Sequence, residues 1–275
     1  MRTTRTDVAG RILLVLAILA LLVPVYWLVK SAFSNQAGLF ADPPQFVPAP
    51  PTVSGFADIL PTLGPSLGVS AIIAIGCVVL TLAIAMPTAY GLSLLAGGRG
   101  SGVSRFVVLS TLMFPSIMFV IPLYNLFYLT GILNTMGALV IADSIYAVPL
   151  GIVVCYTYFT TIPSEITEAA VVDGASPLRV FLRIIVPLGM PAIATTAIFA
   201  FLFGWGDFLF AVTFGAGRGL APASIAVSGL IQGTSGVTPW PAVMAGAVML
   251  CLPALVAVLF AQRFITGGLS AGAVK

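Results

Sequence analysis

Few residues in this sequence are of a type that does covalent chemistry, and none stands beside a partner that would activate it. Histidine is absent, which removes the commonest general base and a common metal ligand. Cys77, Cys155 and Cys251 are odd in number, fall inside apolar runs and lack metal-ligand spacing, so they read as buried free thiols. The lysines, Lys30 and Lys275, stand in no Gly-Lys-Ser/Thr context, so the sequence holds no phosphate loop and the chain hydrolyses no nucleotide itself. What remains is charge in unusual places. Glu165, Glu168, Asp173, Arg179 and Arg183 gather five of nineteen charged residues into one short stretch, and Asp207 stands alone in the apolar run FGWGDFLF. The first group is chemistry for charge-mediated recognition in water. The second is an intramembrane carboxylate, which is by default a functional group.

The elements that position these groups follow from composition. Hydrophobic residues make up 60% of the chain and charged residues 7%, against about 25% charged in a soluble domain. The chain therefore reads as an all-α integral membrane protein, one transmembrane domain over residues 1–275. Six spans are expected at about 12–33, 66–95, 106–128, 137–159, 191–214 and 242–261. The first is long for a cleavable signal and no small-residue cleavage site follows it. A Pro-rich segment, 34–65, and a Gly/Ser-rich loop, 215–239, lie outside. Nine basic residues (Arg2, Arg5, Arg11, Arg99, Arg105, Arg179, Arg183, Arg263 and Lys275) fall on the side expected to be cytoplasmic, against Lys30 and Arg218 on the other. That bias places both ends in the cytoplasm. The net charge of +3 sits at span ends rather than in a patch, so nucleic acid is no partner and lipid is one. Proline occurs inside five of the six spans, which implies bent helices around a pathway that opens and closes.

The charged stretch has local signals of its own. Pro163-Ser164 starts a helix with Ser164 as its cap, and Asp173-Gly174 ends it with Gly174 left-handed. Ser176-Pro177 starts a second helix that runs to Pro187 with Leu178, Phe181, Leu182 and Ile185 at helical spacing. The segment is a helix-turn-helix outside the bilayer, over 163–187, which an ordinary loop packed on its own bundle would also satisfy.

Glu168-Ala169-Ala170, Gly174 and the closing Ile184-Ile185-Val186-Pro187 resemble the EAA loop of ABC importer permeases, with Val186 where Leu is usual. Trp205-Gly206-Asp207-Phe208-Leu209 is similar to the signature that follows that loop in carbohydrate-type permeases, Gly206 replacing Asn. Leu133-Asn134-Thr135 and the ending Gln262-Arg263-Phe264 with Gly268–Lys275 also fit, although Gly267 stands where Arg is common. The resemblance is to the shorter permease of maltose-type systems. It implies a partnership with a second homologous permease, a dimeric cytoplasmic ATPase that consumes ATP and Mg, and an external solute-binding protein, with no cofactor held by this chain. It implies that Glu165, Glu168, Ala169, Ala170, Asp173, Gly174, Ala175, Ile184 and Pro187 form a coupling surface for the ATPase. Gln232, Thr234 and Ser235 would face the binding protein, unless 215–239 is a plain connecting loop.

Two readings of Asp207 stay open. It pairs with Lys30 or with Asp143, holding the bundle, or it lines the pathway, where it and Trp205 meet sugar hydroxyls and a sugar's apolar face. Tyr124 and Asn125 are weaker pathway residues, because aromatic belts explain tyrosines near a span end. Within the importer class, a phosphorylated polyol is the alternative solute. A secondary transporter would call for inverted repeats and several intramembrane carboxylates, and would leave the charged loop without a role. A membrane-embedded enzyme lacks the residues for it.

Overall fold

The computed structural model describes residues 5–95, 101–215, 221–231 and 237–272. Among these residues every regular element is a helix, with no strand. It divides into two compact units, one of Met1–Pro65 with Ala226–Leu252 and one of Ser66–Ile225 with Pro253–Lys275.

The first unit holds α1 (Arg5–Ala32), the short α2 (Gln36–Leu39), the start of α3 (Ser54–Leu94) and the start of α13 (Trp240–Gly272). Residues 10–26 of α1 are exposed all round, as suits a helix whose solvent is lipid. Its last turn is different. Lys30 is 4% exposed, with its ammonium 5.1 Å from the Trp27 ring centroid, a cation–π contact. The Pro-rich segment that follows is ordered by specific bonds. Asn35 caps α2 through the Gly38 amide at 2.6 Å, Tyr26 donates to the Phe46 carbonyl, and the Thr52 amide donates to Phe33 at 2.9 Å. Helix α3 begins at Ser54, twelve residues before the expected span and inside the expected external segment. Pro61 and Pro65 do not interrupt it. Its 41 residues make a rod of about 60 Å, roughly twice the hydrocarbon thickness.

The second unit carries the rest: α4 (Ser101–Thr111), α5 (Ile117–Leu129), α6 (Met136–Phe159), α7 (Ser164–Val172), α8 (Pro177–Val180), α9 (Val186–Leu188), α10 (Met190–Gly206), α11 (Leu209–Phe214) and the start of α12 (Ala223–Ile231). Its core is layered. Ile73, Leu123, Phe127, Leu139, Phe210 and Phe214 pack at one level. Cys77, Ala147 and Ala200 form a middle layer of small side chains, and Ala85, Ala89, Ile152, Cys155, Phe159, Val180 and Ile185 pack at the other end.

Several expected spans are differently built. Four helices among the described residues are long and apolar enough to cross a membrane alone, at Gly10–Ala32, Ser54–Leu94, Met136–Phe159 and Trp240–Phe260. The expected span 106–128 is two helices, α4 and α5, separated at 112–116, where Pro115 supplies no amide. The expected span 191–214 breaks at Asp207-Phe208 into α10 and α11. The loop 215–239 contains α12 rather than irregular chain alone, and α13 continues to Gly272 through most of the presumed tail. Cys251 is exposed, unlike Cys77 and Cys155: an apolar run facing lipid is not a run buried in protein.

Candidate functional site

The charged stretch folds as its local signals dictate. Helix α7 ends in a Schellman turn: the Ala175 amide donates to the Ala170 carbonyl at 2.9 Å and the Gly174 amide to Val171 at 3.0 Å, with Gly174 at φ 80°. A side chain there would meet nothing, so the glycine is required by backbone conformation alone. Two expected caps differ. Ser164 is already helical and makes no cap, and Ser176 takes the N-cap position of α8 without a side-chain hydrogen bond; Pro177, with its preset φ, suffices to start α8.

The second half of the pair contains a π turn at Phe181–Ile185 between α8 and α9. That turn brings Val180 and Ile185, five residues apart, onto the buried face at 2% exposure each. Of the four apolar residues read at helical spacing, Leu178 and Leu182 point outward. Phe181 stacks on Tyr90 at 5.4 Å. The pair is thus nailed to the ends of α3 and α6 by one face. The opposite face presents Glu165, Glu168, Ala169, Asp173 and Gly174 to solvent together with Val171, Val172, Leu178 and Leu182; Ala170, Ala175 and Ile184 are half-buried and Pro187 is exposed. Helix α7 has no buried residue. A mixed acidic and aliphatic surface of this kind, rigidly mounted, is a docking surface in form. Beyond Leu188 the chain turns through 79° into α10, at Gly189, where a β-carbon would lie 2.5 Å from the Phe159 ring.

The second site is the break in α10–α11. The carboxylate of Asp207 accepts the amides of Ala211 (2.7 Å) and Phe210 (3.3 Å), acting as the cap of α11. Its carbonyl accepts the Ser224 hydroxyl at 2.7 Å, and the neighbouring Ala223 amide donates to Ser70 at 2.9 Å. The partners of Asp207 are therefore local, and neither of the cationic or acidic partners named from the sequence is needed to hold it. Asp207 and Asp143 line one cavity of about 290 Å³ with Ser116, Tyr146 and Phe203. Trp205 is 6% exposed, its ring stacked on Phe201 at 5.6 Å, and is not on the cavity wall. Tyr124 and Asn125 stand on the exposed face of α5, opposite buried Leu123 and Phe127. Gln232, Thr234 and Ser235 lie outside the described residues. Sequence reading passed over Ser116, Tyr146 and Phe203; the one available signal was the three-residue spacing of Asp143 and Tyr146, which puts both on one helix face.

A family model described as binding-protein-dependent transport system inner membrane component matches residues 81–266. The trehalose/maltose transport system permease protein MalG of Thermococcus litoralis is 31% identical over 98% of this chain and 99% of its own length. The trehalose transport system permease protein SugB of Mycobacterium tuberculosis is 37% identical over 59% and 60%. The fold matches a chain from the crystal structure of a bacterial ABC transporter involved in the import of the acidic polysaccharide alginate, with a TM-score of 0.82, 21% identity and coverage of 96% and 99%. It also matches a chain of the MetNI methionine ABC transporter with a TM-score of 0.60, at 15% identity and coverage of 77% and 98%. This chain belongs to the binding-protein-dependent transport system inner membrane component family, as a multi-pass inner-membrane permease of the ABC type that performs no catalysis of its own.

Proposed function

We propose that the chain is one of two homologous permeases of an ATP-driven importer for a sugar or sugar derivative, forming half of the translocation pathway. A dimeric cytoplasmic ATPase consumes ATP and Mg, and an external binding protein delivers the solute. The sugar class rests on the relatives, which are named for trehalose and maltose transport. The topology is six spans with both ends cytoplasmic, α4–α5 and α10–α11 each counting as one broken crossing.

The observation that carries the coupling reading is the exposed face of α7–α8. It presents carboxylates and four large aliphatic side chains to water while its reverse face is locked to α3 and α6, so a push from a partner is delivered to the bundle rather than absorbed in a loop. Ala169 beside Glu168 lets a partner approach closely. The pathway reading keeps Asp207 as its centre, with Trp205 two residues before it in the chain and Tyr124 and Asn125 on the exposed face of α5.

Co-purification in detergent with the ATPase tests this. Wild type retains the ATPase. Glu168→Lys reverses a charge at the centre of the surface, and Gly174→Asp forces a side chain into the left-handed turn. Each is expected to weaken retention by about tenfold or more, the scale of a docking hot spot, while the permease itself stays folded. Undiminished retention in both variants would remove the coupling role from this surface.

A further inference from the structure

We propose that the Pro-rich segment between α1 and α3 is a lipid anchor, folded back along α1 to seat Phe46 and Val47 in the outer headgroup layer. The proposal takes its leaflet from the proposed topology and adds a lipid-binding surface to it. The segment leaves α1 at Phe33 and returns to the same residue, where the Thr52 amide donates to the Phe33 carbonyl at 2.9 Å. A loop closed at its base in this way could stand out into water. Its middle is instead tied to α1 below that base. Tyr26 donates to the Phe46 carbonyl, and the Trp27 ring meets the Phe46 ring edge-on at 6.3 Å. Tyr26 precedes Phe33 by seven residues, about 10 Å back along the axis, and helical side chains lean further toward the N-terminus.

The charges on α1 set the depth of this tie. Arg11 and Lys30 are nineteen residues apart, about 28 Å along a helix, which matches a hydrocarbon core of roughly 30 Å. Lys30 therefore marks the outer boundary, with its ammonium 5.1 Å from the Trp27 ring centroid. Trp27 lies a turn inside it, so Phe46 is held about 5 Å within that boundary, the depth at which interfacial elements bury apolar side chains. Yet Phe46 and Val47 are 69% and 70% exposed, and nothing among the described residues covers them. The backbone suits the same place. Five of the nine residues 43–51 are proline, which has no N–H to leave unpaired where water is scarce, and the Phe46 carbonyl is already taken. Irregular chain is excluded from the hydrocarbon itself. The seat is thus the headgroup–acyl boundary, where residues of the type of Tyr26 and Trp27 are enriched.

The test uses the full-length protein with its partner subunits in phosphatidylethanolamine–phosphatidylglycerol vesicles that carry a nitroxide-labelled phosphatidylcholine. Exposed Cys251 is changed to Ser, and a bimane fluorophore is attached at Val47→Cys. Asp58→Cys, exposed near the start of α3, is the water-facing reference. At Val47→Cys, a nitroxide near the top of the acyl chain is expected to quench severalfold more than one near its end. Iodide is expected to quench severalfold less there than at Asp58→Cys. Phe46→Asp is expected to release the loop and raise iodide quenching of Val47→Cys to the reference level. Strong iodide quenching without that substitution means a solvated loop, and shielding from both iodide and nitroxide means a covering protein. Stronger quenching from the chain end means burial in the hydrocarbon. Each of these would overturn the proposal, as would an iodide response that Phe46→Asp leaves unmoved. The leaflet is read separately: a membrane-impermeant maleimide is expected to label Asp58→Cys in right-side-out vesicles. Labelling only in inside-out vesicles would overturn the topology and with it the leaflet. Failed nitroxide quenching with external labelling overturns the anchor and leaves the topology intact.

Discussion

Gly204→Val is expected to lower the thermal unfolding midpoint of the detergent-purified protein steeply and to cut its yield from the membrane. Gly204 lies in the last turn of α10, where a β-carbon would stand 2.9 Å from Cα of Ala74, 3.3 Å from its amide nitrogen and 3.1 Å from Cβ of Cys77. Two of these atoms are backbone, so no rotamer change makes room and the helices themselves must separate. Ala74, Cys77 and Ala200 are fully buried at this crossing, and close approach of small residues is the source of helix association in lipid, where no hydrophobic force separates one apolar helix from another. Separation forfeits those contacts along several turns. The cost is about 3 kcal/mol or more, at or above the upper end for overpacked cores. Gly68→Ala is the control: nothing lies within 4 Å of a β-carbon there, and relief of helical glycine is worth about 0.5–1 kcal/mol. A Gly204→Val protein that melts with wild type would show that α3 and α10 do not cross this closely.

The contrast between the two sites explains what is legible in a membrane sequence. The helix pair 164–188 is written in local chemistry that works the same way in water as in a soluble protein: Gly174 at a Schellman turn, Pro177 at the first helical position. Those residues act within a few positions of themselves, and the structure places them as read. The π turn at 181–185 is invisible because its cause is tertiary, the need to bury both Val180 and Ile185. Inside the spans the informative signal is lost. A helix such as α1 is apolar on every side, so no periodicity distinguishes the face toward protein from the face toward lipid, and Cys251 reads the same as Cys77. Proline is equally ambiguous. Pro115 coincides with a break, whereas Pro122, Pro149 and Pro253 lie inside continuous helices. The cavity depends on which residues of separate helices converge: the spacing of Tyr146 from Asp143 puts both on one face of α6, but Ser116 and Phe203 carry no mark of that.

Asp207→Ala is expected to destabilise the protein by about 2–4 kcal/mol, the cost of leaving two amides without acceptors in an apolar setting. Helix α11 has only six residues, too short to hold itself, and its exposed amide end is satisfied by one side chain. The same residue's carbonyl takes the Ser224 hydroxyl, so disturbing the break also loosens the chain where it re-enters as α12. Asp207→Asn separates this structural duty from any duty toward solute. An amide side chain keeps one acceptor for the Ala211 amide but loses the charge that favours a helix N-terminus, at a cost of about 1 kcal/mol. Its thermal midpoint should therefore fall between those of wild type and Asp207→Ala. Uptake by the reconstituted importer then decides the role. If Asp207→Asn is nearly as stable as wild type yet transports poorly, the carboxylate acts on the solute as well as on α11. If uptake follows stability across both variants, Asp207 is a cap and nothing more. Wild-type stability in Asp207→Ala would mean that the α11 amides find other acceptors, and the account of the break would be wrong.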